Sequence, residues 1–310
     1  MLFVLDESGL DLGDTDISLL EDSFRKLSML LNLVVTSDFP AYCWSDIWSV
    51  KCNSSDELHQ LVFNQAGIDP EVTRQLAVEI DRLSYWDDDF DIDPEFEFTC
   101  GTHRIEFAPS TGFCMRMIEQ GRRGVMVTTQ QGTLQGVKDL FSPRQSKHTE
   151  VLYISAKTDW VSCIREWLKS SDCPVSQVER YSEDVFDNLV FADGIWSQVR
   201  HFEGDNRTIR RQLINNLAGL NDHLLTIRSH HVTNDRIILE MKIRADVVCS
   251  PDSPKTHKNN RAMKQREVET AFGKVDCEWH AKLEPHRNRI HFGLNRGKVF
   301  IGIFSGHLET

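Results

Sequence analysis

The C-terminal stretch CEWHAKLEPHRNRIHFGLNRGKVFIGIFSGHLET (residues 277–310) alternates apolar residues with charged residues and histidines. Side chains along a β-strand point to opposite faces in turn, so this alternation predicts strands with one apolar and one polar face. In the first strand the apolar face comprises Cys277, Trp279, Ala281 and Leu283. The polar face comprises Glu278, His280, Lys282 and Glu284.

A second strand, from Arg289 to Gly293, is predicted to pair with the first through a turn at 285–288. It places Ile290 and Phe292 on the apolar face, and Arg289 and His291 on the polar face. Closing this turn is expected to set Glu284 opposite Arg289, and Lys282 opposite His291.

A third strand is expected to direct Val299, Ile301 and Ile303 into the core. Gly302 is expected to leave open space on the polar face, because it has no side chain. The pattern therefore predicts a three-stranded meander with one cationic surface that also carries imidazoles. Its members are His280, Lys282, Arg289, His291 and Lys298.

Three interpretations of this surface stay open. Histidine titrates near neutral pH and suits acid–base catalysis, while lysine and arginine stabilise a phosphorane, so metal-independent RNA cleavage is one hypothesis. Phosphate binding without chemistry is the second, and a ladder of cross-strand pairs such as Glu284–Arg289 is the third. A metal site from His280, His286 and His291 is not favoured, because His286 lies in the turn. No metal and no cofactor are predicted.

Ahead of these strands the sequence predicts an amphipathic helix over 208–220, with apolar residues at helical spacing. Arg207, Arg210 and Arg211 lie at or near its first turn and are candidates for binding nucleic-acid phosphates. A solvated helix face also explains these arginines. Two strands (224–232 and 236–245) and an exposed polar loop (250–260) are predicted to follow.

The first 200 residues are predicted to form a mixed lobe. LFVL (2–5) reads as a strand, helices are expected to start near Ser18, Ser54 and Asp69, and further strands lie at 124–129 and 150–155. Strands and helices alternate without a regular β-α-β period. Neither GxGxxG nor GxxxxGK[ST] occurs, so these nucleotide-binding loops are not indicated.

Charge is distributed unevenly along the chain. The net charge is −12; residues 1–200 contribute 17 Lys and Arg against 34 Asp and Glu, and residues 201–310 contribute 18 against 13. The acidic stretch DDDFDIDPEFEF (87–98) is interpreted as a solvated loop, in preference to a cation site. An acidic body with a basic end permits phosphate binding at that end and docking of a basic protein partner on the acidic lobe.

The sequence predicts a cytoplasmic protein without a membrane association. Its eight cysteines are scattered and none form CxxC, which is typical of reduced, mostly buried thiols. No apolar run is long enough to span a bilayer. The apolar start MLFVL is interrupted by Asp6 and lacks a basic region, so no signal peptide is predicted.

The segments Arg266–Glu269, Cys277–Leu283, Arg289–Phe292 and Gly297–Leu308 together resemble the tail of a group of uncharacterised bacterial proteins. These share a His-x-Lys, Arg-Ile-x-Phe and Ile-Gly-x-x-x-x-His-Leu pattern. The stretch is also distantly similar to the terminal strands of RelE/ParE-type toxins, small and strongly basic ribosome-dependent ribonucleases. Carried over by position, that resemblance implies cleavage-site roles for Lys282, Arg289 and His307, and a bacterial toxin or anti-phage defence component.

Taken together, these observations predict an α+β protein with an acidic mixed lobe (1–200) and a basic domain of one helix and an antiparallel sheet (201–310). The favoured hypothesis is a bacterial defence or toxin-type effector that acts on RNA or DNA, with His280, Lys282, Arg289, His291 and His307 as candidate catalytic residues. The alternative is a non-enzymatic subunit or adaptor of a defence complex, whose acidic lobe docks a basic partner.

Overall fold

The computed structural model describes residues 1–13, 16–53, 56–64, 67–93, 96–170, 173–271, 273–285, 287–306 and 308. The chain is an α+β protein with two compact units, Met1–Trp160 and Val161–Thr310. This division lies earlier in the chain than the predicted one at residue 200. The reason is long-range pairing: the strand Leu189–Phe191 pairs with the C-terminal strand Lys298–Ser305 and so belongs to the second unit.

The first unit is built on one mixed sheet. Its strands are β1 (Leu2–Leu5), β2 (Ala41–Cys43), β3 (Ser84–Tyr85), β4 (Phe98–Cys100), β5 (His103–Ile105), β6 (Gly124–Val127), β7 (Gly136–Ser142) and β8 (Lys147–Ile154). Its helices are α1 (Ile17–Thr36), α2 (Leu58–Phe63), α3 (Pro70–Asp81), α4 (Pro109–Glu119) and α5 (Lys157–Leu168), the last of which continues into the second unit. The described strands are ordered β3-β2-β1-β6-β8-β7-β4-β5. Pairings from β3 to β8 are parallel, and those from β8 to β5 are antiparallel.

Strand β1 lies in the middle of the parallel part of this sheet. All four of its side chains are buried, as expected for a parallel strand that is covered on both faces. A β-α-β unit occurs here, although the sequence shows no regular β-α-β period, because α1 connects β1 to the parallel β2. Strand β2 has three residues, which is too short to show a periodic signal in the sequence.

One of the predicted helix starts shows its capping chemistry, and a second is confirmed in position without a side-chain cap. Helix α3 begins at Pro70, and the side chain of Asp69 accepts a hydrogen bond from the backbone N–H of Glu71. Helix α1 begins at Ile17, next to the predicted Ser18, with Asp16 as its N-cap. Helix α2 is capped by a reciprocal Glu57–Gln60 pair, while the predicted start at Ser54 falls outside the described residues.

The second unit contains a five-stranded sheet and a separate hairpin. Its strands are β9 (Leu189–Phe191), β10 (Cys249–Pro251), β11 (Glu267–Thr270), β12 (Gly273–Asp276), β13 (Trp279–Lys282), β14 (Arg289–Asn295) and β15 (Lys298–Ser305). Its helices are α6 (Val175–Val185), α7 (Asn206–Gly219), α8 (Leu225–His230), α9 (Asn234–Ala245), α10 (Pro254–His257) and α11 (Asn260–Lys264). The described sheet is ordered β10-β13-β14-β15-β9, with only β9 parallel to its neighbour, and β11 pairs with β12.

The two strands predicted between residues 224 and 245 are helices α8 and α9, so that prediction is wrong. The chain leaves α7 through a π-helical turn and continues into α8, where Leu224 and Ile227 are buried. Ile237 and Met241, four residues apart, form the buried side of α9. Apolar residues at helical spacing therefore outweigh the β-branched content that favoured strands.

The two faces of the second sheet are covered differently. On one face, Arg228 of α8 lies over the ring of Trp279 at 5.6 Å, and Trp196 and Phe202 both contact Phe304. The β11–β12 hairpin packs on the other face, where Val275, Cys277 and Phe300 form a small buried cluster. The predicted apolar face is thus the face under the helices.

Candidate anion-binding site

Backbone pairing brings four of the predicted site residues together on the hairpin side of the second sheet. Lys282 lies directly opposite Arg289, and His280 lies directly opposite His291. Ser305 extends the first row across β15, and Ser250 extends the second row across β10. We call the six residues of these rows the polar array: Ser250, His280, Lys282, Arg289, His291 and Ser305.

The observed register differs from the predicted one because the turn is longer. The N–H of Leu283 donates to the carbonyl of Asn288 at 2.8 Å, which places Glu284 within the turn. There Glu284 pairs with Arg287, so the predicted Glu284–Arg289 pair is wrong. Lys282 faces Arg289 instead of His291, a shift of two residues that leaves the side chains of β13 and β14 on their predicted faces. Cys277 precedes β13, and its predicted place on the apolar face with Trp279 is wrong, because it packs with Phe300 on the hairpin side.

Strand β15 is irregular where it passes His291. His291 faces Ile303, but Phe292 faces Ile301, so Gly302 is an extra residue without a partner on β14. Ile303 therefore lies on the side of the histidines, and its predicted place in the core with Ile301 is wrong. Phe304 takes the core position instead.

The predicted open space at Gly302 is filled. A methyl group at Gly302 would clash with Sγ of Cys277, and one at Gly293 would clash with the carbonyl oxygen of Asp276. The chain that leaves the β11–β12 hairpin thus lies directly against these two glycines. Glycine is required here for close packing and does not provide a cleft.

The histidines of the polar array lie beneath this cover. His291 is 0% exposed and His280 is 8% exposed, so they do not form the open imidazole surface that the sequence predicts. Lys282 and Arg289 are partly exposed and form the accessible edge of the array.

A buried ion pair lies beside His280. Arg266 binds Asp252 through two N–H groups, with Nη2 at 3.2 Å from Oδ1, and also donates from Nη1 to the carbonyl of Ala262 at 2.7 Å. Their side chains are only 1% and 4% exposed. Asp252 lies in the stretch predicted to be an exposed loop, and sequence reasoning missed both partners because only the fold brings them together.

Burial determines the protonation of His280. Desolvation, followed by the neighbouring charge of Arg289, lowers the pKa of His280 to about 4, although Asp252 acts in the opposite direction. The imidazole is therefore neutral near pH 7. Its Nε2 lies 3.3 Å from Oγ of Ser250, and its Nδ1 lies 3.8 Å from Oδ1 of Asp252, which is too long for a hydrogen bond.

Several polar atoms of the array lack a hydrogen-bond partner within the described part of the chain. They are Nδ1 of His280, Nε of Arg289 and Oγ of Ser305. Buried polar groups are satisfied in most proteins, so a group of them on adjacent strands needs an explanation. A guanidinium N–H and a hydroxyl are both donors that suit an anion.

Lys282 and Arg289 form a like-charge pair on neighbouring strands. Two nearby carboxylates are engaged elsewhere, Glu284 with Arg287 and Asp252 with Arg266. Directly opposed like charges destabilise a sheet. Burial, the dominant cause, together with the charge of Arg266, lowers the pKa of Arg289.

The remaining predicted residues do not join the array. Lys298 shares its face but lies opposite Asn295 at the other end of the β14–β15 hairpin, and donates to the carbonyl of Asp187 at 3.1 Å. His307 and His286 fall outside the described residues. Arg207, Arg210 and Arg211 belong to α7 and not to the sheet.

The start of α7 is not open to an anion. The side chain of Asp205 accepts hydrogen bonds from the N–H and Oγ1 of Thr208, both at 2.8 Å. Arg207 and Arg211 are exposed, whereas Arg210 donates from Nη1 to the carbonyl of Ser170 at 3.0 Å. Arg210 therefore binds the protein's own backbone, unlike Arg207 and Arg211.

A second buried group of ionisable side chains, in the first unit, was also missed from the sequence. Asp6 and Glu7, the carboxyl pair, directly follow β1 at the point where β1 has β2 on one side and β6 on the other. Asp6 accepts hydrogen bonds from the N–H and Oγ of Ser8, and Glu7 accepts one from the N–H of Ser110 in the first turn of α4. Ligands of open α/β sheets often bind at such a position.

Here that position is closed by packing. A methyl group at Gly9 would clash with Oγ1 of Thr128, which follows β6. Burial raises the pKa of Asp6, and burial with the nearby charge of Asp6 raises the pKa of Glu7 to about 8. Glu7 therefore serves as a buried cap of α4, whose own N-cap residue, Ala108, offers no side-chain acceptor.

Across the described residues, no cluster of three or more histidine, cysteine or carboxyl side chains is arranged to hold a metal ion. None of the helices in the described ranges combines the length and the apolarity that crossing a bilayer requires. Comparison of the chain with protein-family models, with curated proteins and with solved structures finds no match.

Proposed function

We propose that the second unit binds a phosphate of RNA or DNA at the edge of the polar array, as part of a bacterial defence or toxin-type effector. Lys282 and Arg289 supply the charge. The like-charge pair carries this proposal. A protein with a net charge of −12 places two cations directly opposite each other, and no carboxylate within the described part of the chain forms an ion pair with either of them. An anionic ligand would stabilise this arrangement.

The burial and charge of the histidines favour binding over acid–base catalysis. A general base must reach the proton that it removes, and an efficient one has a pKa near the working pH. His280 is 8% exposed, with a pKa lowered to about 4, and His291 is fully buried. These two observations therefore support phosphate binding at the array over RNA cleavage by the two histidines.

The proposal is tested by the salt dependence of binding to single-stranded RNA and duplex DNA. Each lost phosphate contact reduces the slope of log K against log salt by about 1. We expect Lys282→Met with Arg289→Met to weaken binding at least about ten-fold and to reduce the slope. The control is Lys298→Met, on the same face at the far end of the hairpin, which should change neither quantity.

Two results would overturn the proposal. One is unchanged affinity and slope in the double variant, verified as folded by circular dichroism. The other is an equal loss in Lys298→Met, which would indicate a diffuse charge effect. A nuclease activity that persists in EDTA and disappears in His280→Gln, with binding unchanged, would restore the catalytic hypothesis.

A second candidate function is favoured by the acidic side of the first unit. Trp44 and Trp86 line a cavity together with five aspartates, of which Asp46, Asp88, Asp89 and Asp91 are exposed. This arrangement suits a basic protein partner, as expected of a non-enzymatic subunit. Two results together would favour this function over the first. The unaltered protein would bind no nucleic acid, and changing these four aspartates to Asn would abolish binding of the basic partner.

A further inference from the structure

A polar cavity in the second unit lies beside Lys282, at the end of β13. Its volume is about 590 Å³, which is within the usual range of small-molecule pockets. Its wall is formed by the C-terminal parts of α7 and α9, by the π-helical turn that follows α7, and by the chain at 247–248 and 282–283. Lys282 belongs both to this wall and to the polar array, so the cavity adjoins the proposed phosphate site.

The backbone explains why the cavity lies at this edge of the sheet. The N–H of Lys282 donates to the carbonyl of Val248 at 2.9 Å, which sets these two residues side by side at the end of the sheet. Gly219 of α7 lies directly against Val247, because a methyl group at Gly219 would clash with the Val247 side chain. The end of α7 is thereby held close to the end of the sheet, and the cavity lies next to this contact.

Two amide oxygens in the α7 wall lack a hydrogen-bond partner within the described part of the chain. Gln212 and Asn216 lie one helical turn apart, and both line the cavity. Asn216 is only 8% exposed, and its Nδ2 group donates to the carbonyl of Gln212 at 2.8 Å, so Oδ1 is the atom that stays unpaired. Oε1 of Gln212 is also buried and unpaired. Buried acceptors normally have a donor, so these two oxygens suit N–H groups from a ligand.

The charged groups of the wall leave one cation for a ligand. Both lining carboxylates already bind cations of this unit: Asp246 pairs with Lys242, and Asp222 pairs with Arg165. Lys282 forms no ion pair among the described residues and faces another cation across the sheet. The cavity therefore combines a cation at one end with unpaired acceptors in its wall.

We infer that this cavity holds the base of a nucleotide whose phosphate lies at Lys282 and Arg289. The base carries an exocyclic amino group, as adenine and cytosine do, because its N–H groups would satisfy the oxygens of Gln212 and Asn216. A base can enter a cavity only when it is neither paired nor stacked, so the ligand is a single strand. This inference rests on the proposed phosphate site and adds to it the base and the strandedness of the nucleic acid.

Calorimetric titration of the full chain with 5′-monophosphates tests the base site. AMP differs from IMP, and CMP from UMP, by the exchange of an amino group for an oxo group, and ribose 5-phosphate has no base. We expect at least one amino nucleotide to bind about five-fold or more tightly than its oxo partner. Ribose 5-phosphate should bind no more tightly than the oxo nucleotides, and Lys282→Met with Arg289→Met should abolish its binding.

Gln212→Met with Asn216→Leu removes both oxygens and retains similar side-chain volume. This variant should lose the preference for the amino nucleotide and bind ribose 5-phosphate as before; it should also fold, because apolar groups replace unpaired acceptors. If it does not fold, Gln212→Met alone should lose part of the preference. The matched control is Gln177→Met, a half-buried glutamine of α6 outside the cavity, which should leave every affinity unchanged.

The results distinguish failure of this inference from failure of the proposed function. Equal affinity for all the probes, lost in Lys282→Met with Arg289→Met, would refute the base site and keep the phosphate site. Absence of binding, or binding that this variant does not change, would refute both. A short homo-oligomer of the preferred nucleotide should bind more tightly than the monophosphate, whereas equal affinity would assign the cavity to a free nucleotide and refute the single strand.

Discussion

The two units bury ionisable groups in opposite ways. Among the described residues of the first unit the carboxyl pair has no cationic partner, and burial raises the pKa of both acids. In the second unit the carboxylate of Asp252 is matched by Arg266, while the nearby base His280 has its pKa lowered. The difference shows that burial disfavours the charged form of either sign unless a partner of opposite charge is buried with it.

This contrast predicts opposite responses of the two units to pH. A folded-state pKa above the unfolded value means that the folded state binds more protons, so Glu7 makes the first unit less stable as pH rises from 4.5 to about 8. A folded-state pKa below the unfolded value has the reverse effect. His280 makes the second unit more stable as pH rises from about 4 to 6.5.

Breaking the buried ion pair should have the largest effect. Arg266→Met leaves Asp252 buried without its partner, and we expect the free energy of unfolding of the second unit to fall by about 4–5 kcal/mol. Urea denaturation measures the loss, and hydrogen exchange of peptides from each unit locates it. Adding Asp252→Asn should recover a large part of the stability; no recovery would mean that the packing of the Arg266 side chain, and not its charge, is what matters.

Removing the ionisable group of Glu7 should change the stability of the first unit by a smaller amount and in the opposite direction. Glu7→Gln retains an acceptor for the N–H of Ser110 and cannot ionise, so at pH 8 or above it should stabilise the first unit by an amount on the order of 4 kcal/mol. Below pH 4.5 the variant and the unaltered protein should be equally stable. Denaturation across this pH range measures the difference.

Glu79→Gln is the matched control for this prediction. Glu79 is a buried carboxylate of the same unit, but Arg82 and Asn32 bind it. This variant should keep the decline in stability between pH 4.5 and 8. Loss of the decline in Glu79→Gln, or its persistence in Glu7→Gln, would contradict the assignment to Glu7.

The acid sensitivity of the second unit should depend on His280. In His280→Gln we expect the decrease in stability between pH 6.5 and 4 to vanish, a difference on the order of 3 kcal/mol at the acid end. Hydrogen exchange of peptides from the second unit at several pH values measures it. The exposed His257 provides the control, and His257→Gln should retain the full pH dependence.

The smallest of these effects concerns the cover over the array. Gly302→Ala forces the new methyl group against Cys277 and should destabilise the second unit by about 2 kcal/mol. Cys277→Ala should relieve this clash, so the double variant should lose less stability than the sum of the single changes. Additive losses would show that Gly302 matters through its backbone and not through this contact.

Several local features could be predicted because a short stretch contains their cause. The alternation at 277–283 correctly places His280 and Lys282 on one face, and helical spacing correctly predicts α7 with Ile209 and Leu213 buried. The Asp69-Pro70 start of α3 follows from capping chemistry. Helices α8 and α9 were missed because short apolar runs are compatible with the period of a helix and with that of a strand.

The sequence by itself determined which residues share a face, because side-chain direction in a strand or helix depends only on backbone periodicity. The tertiary structure alone decided what covers that face: the hairpin over Gly302, the Asp252–Arg266 pair and the burial of His280 all join residues that no single strand or helix contains. Charge and solvent access depend on these distant neighbours. For that reason the predicted imidazole surface became a buried array with a cationic edge.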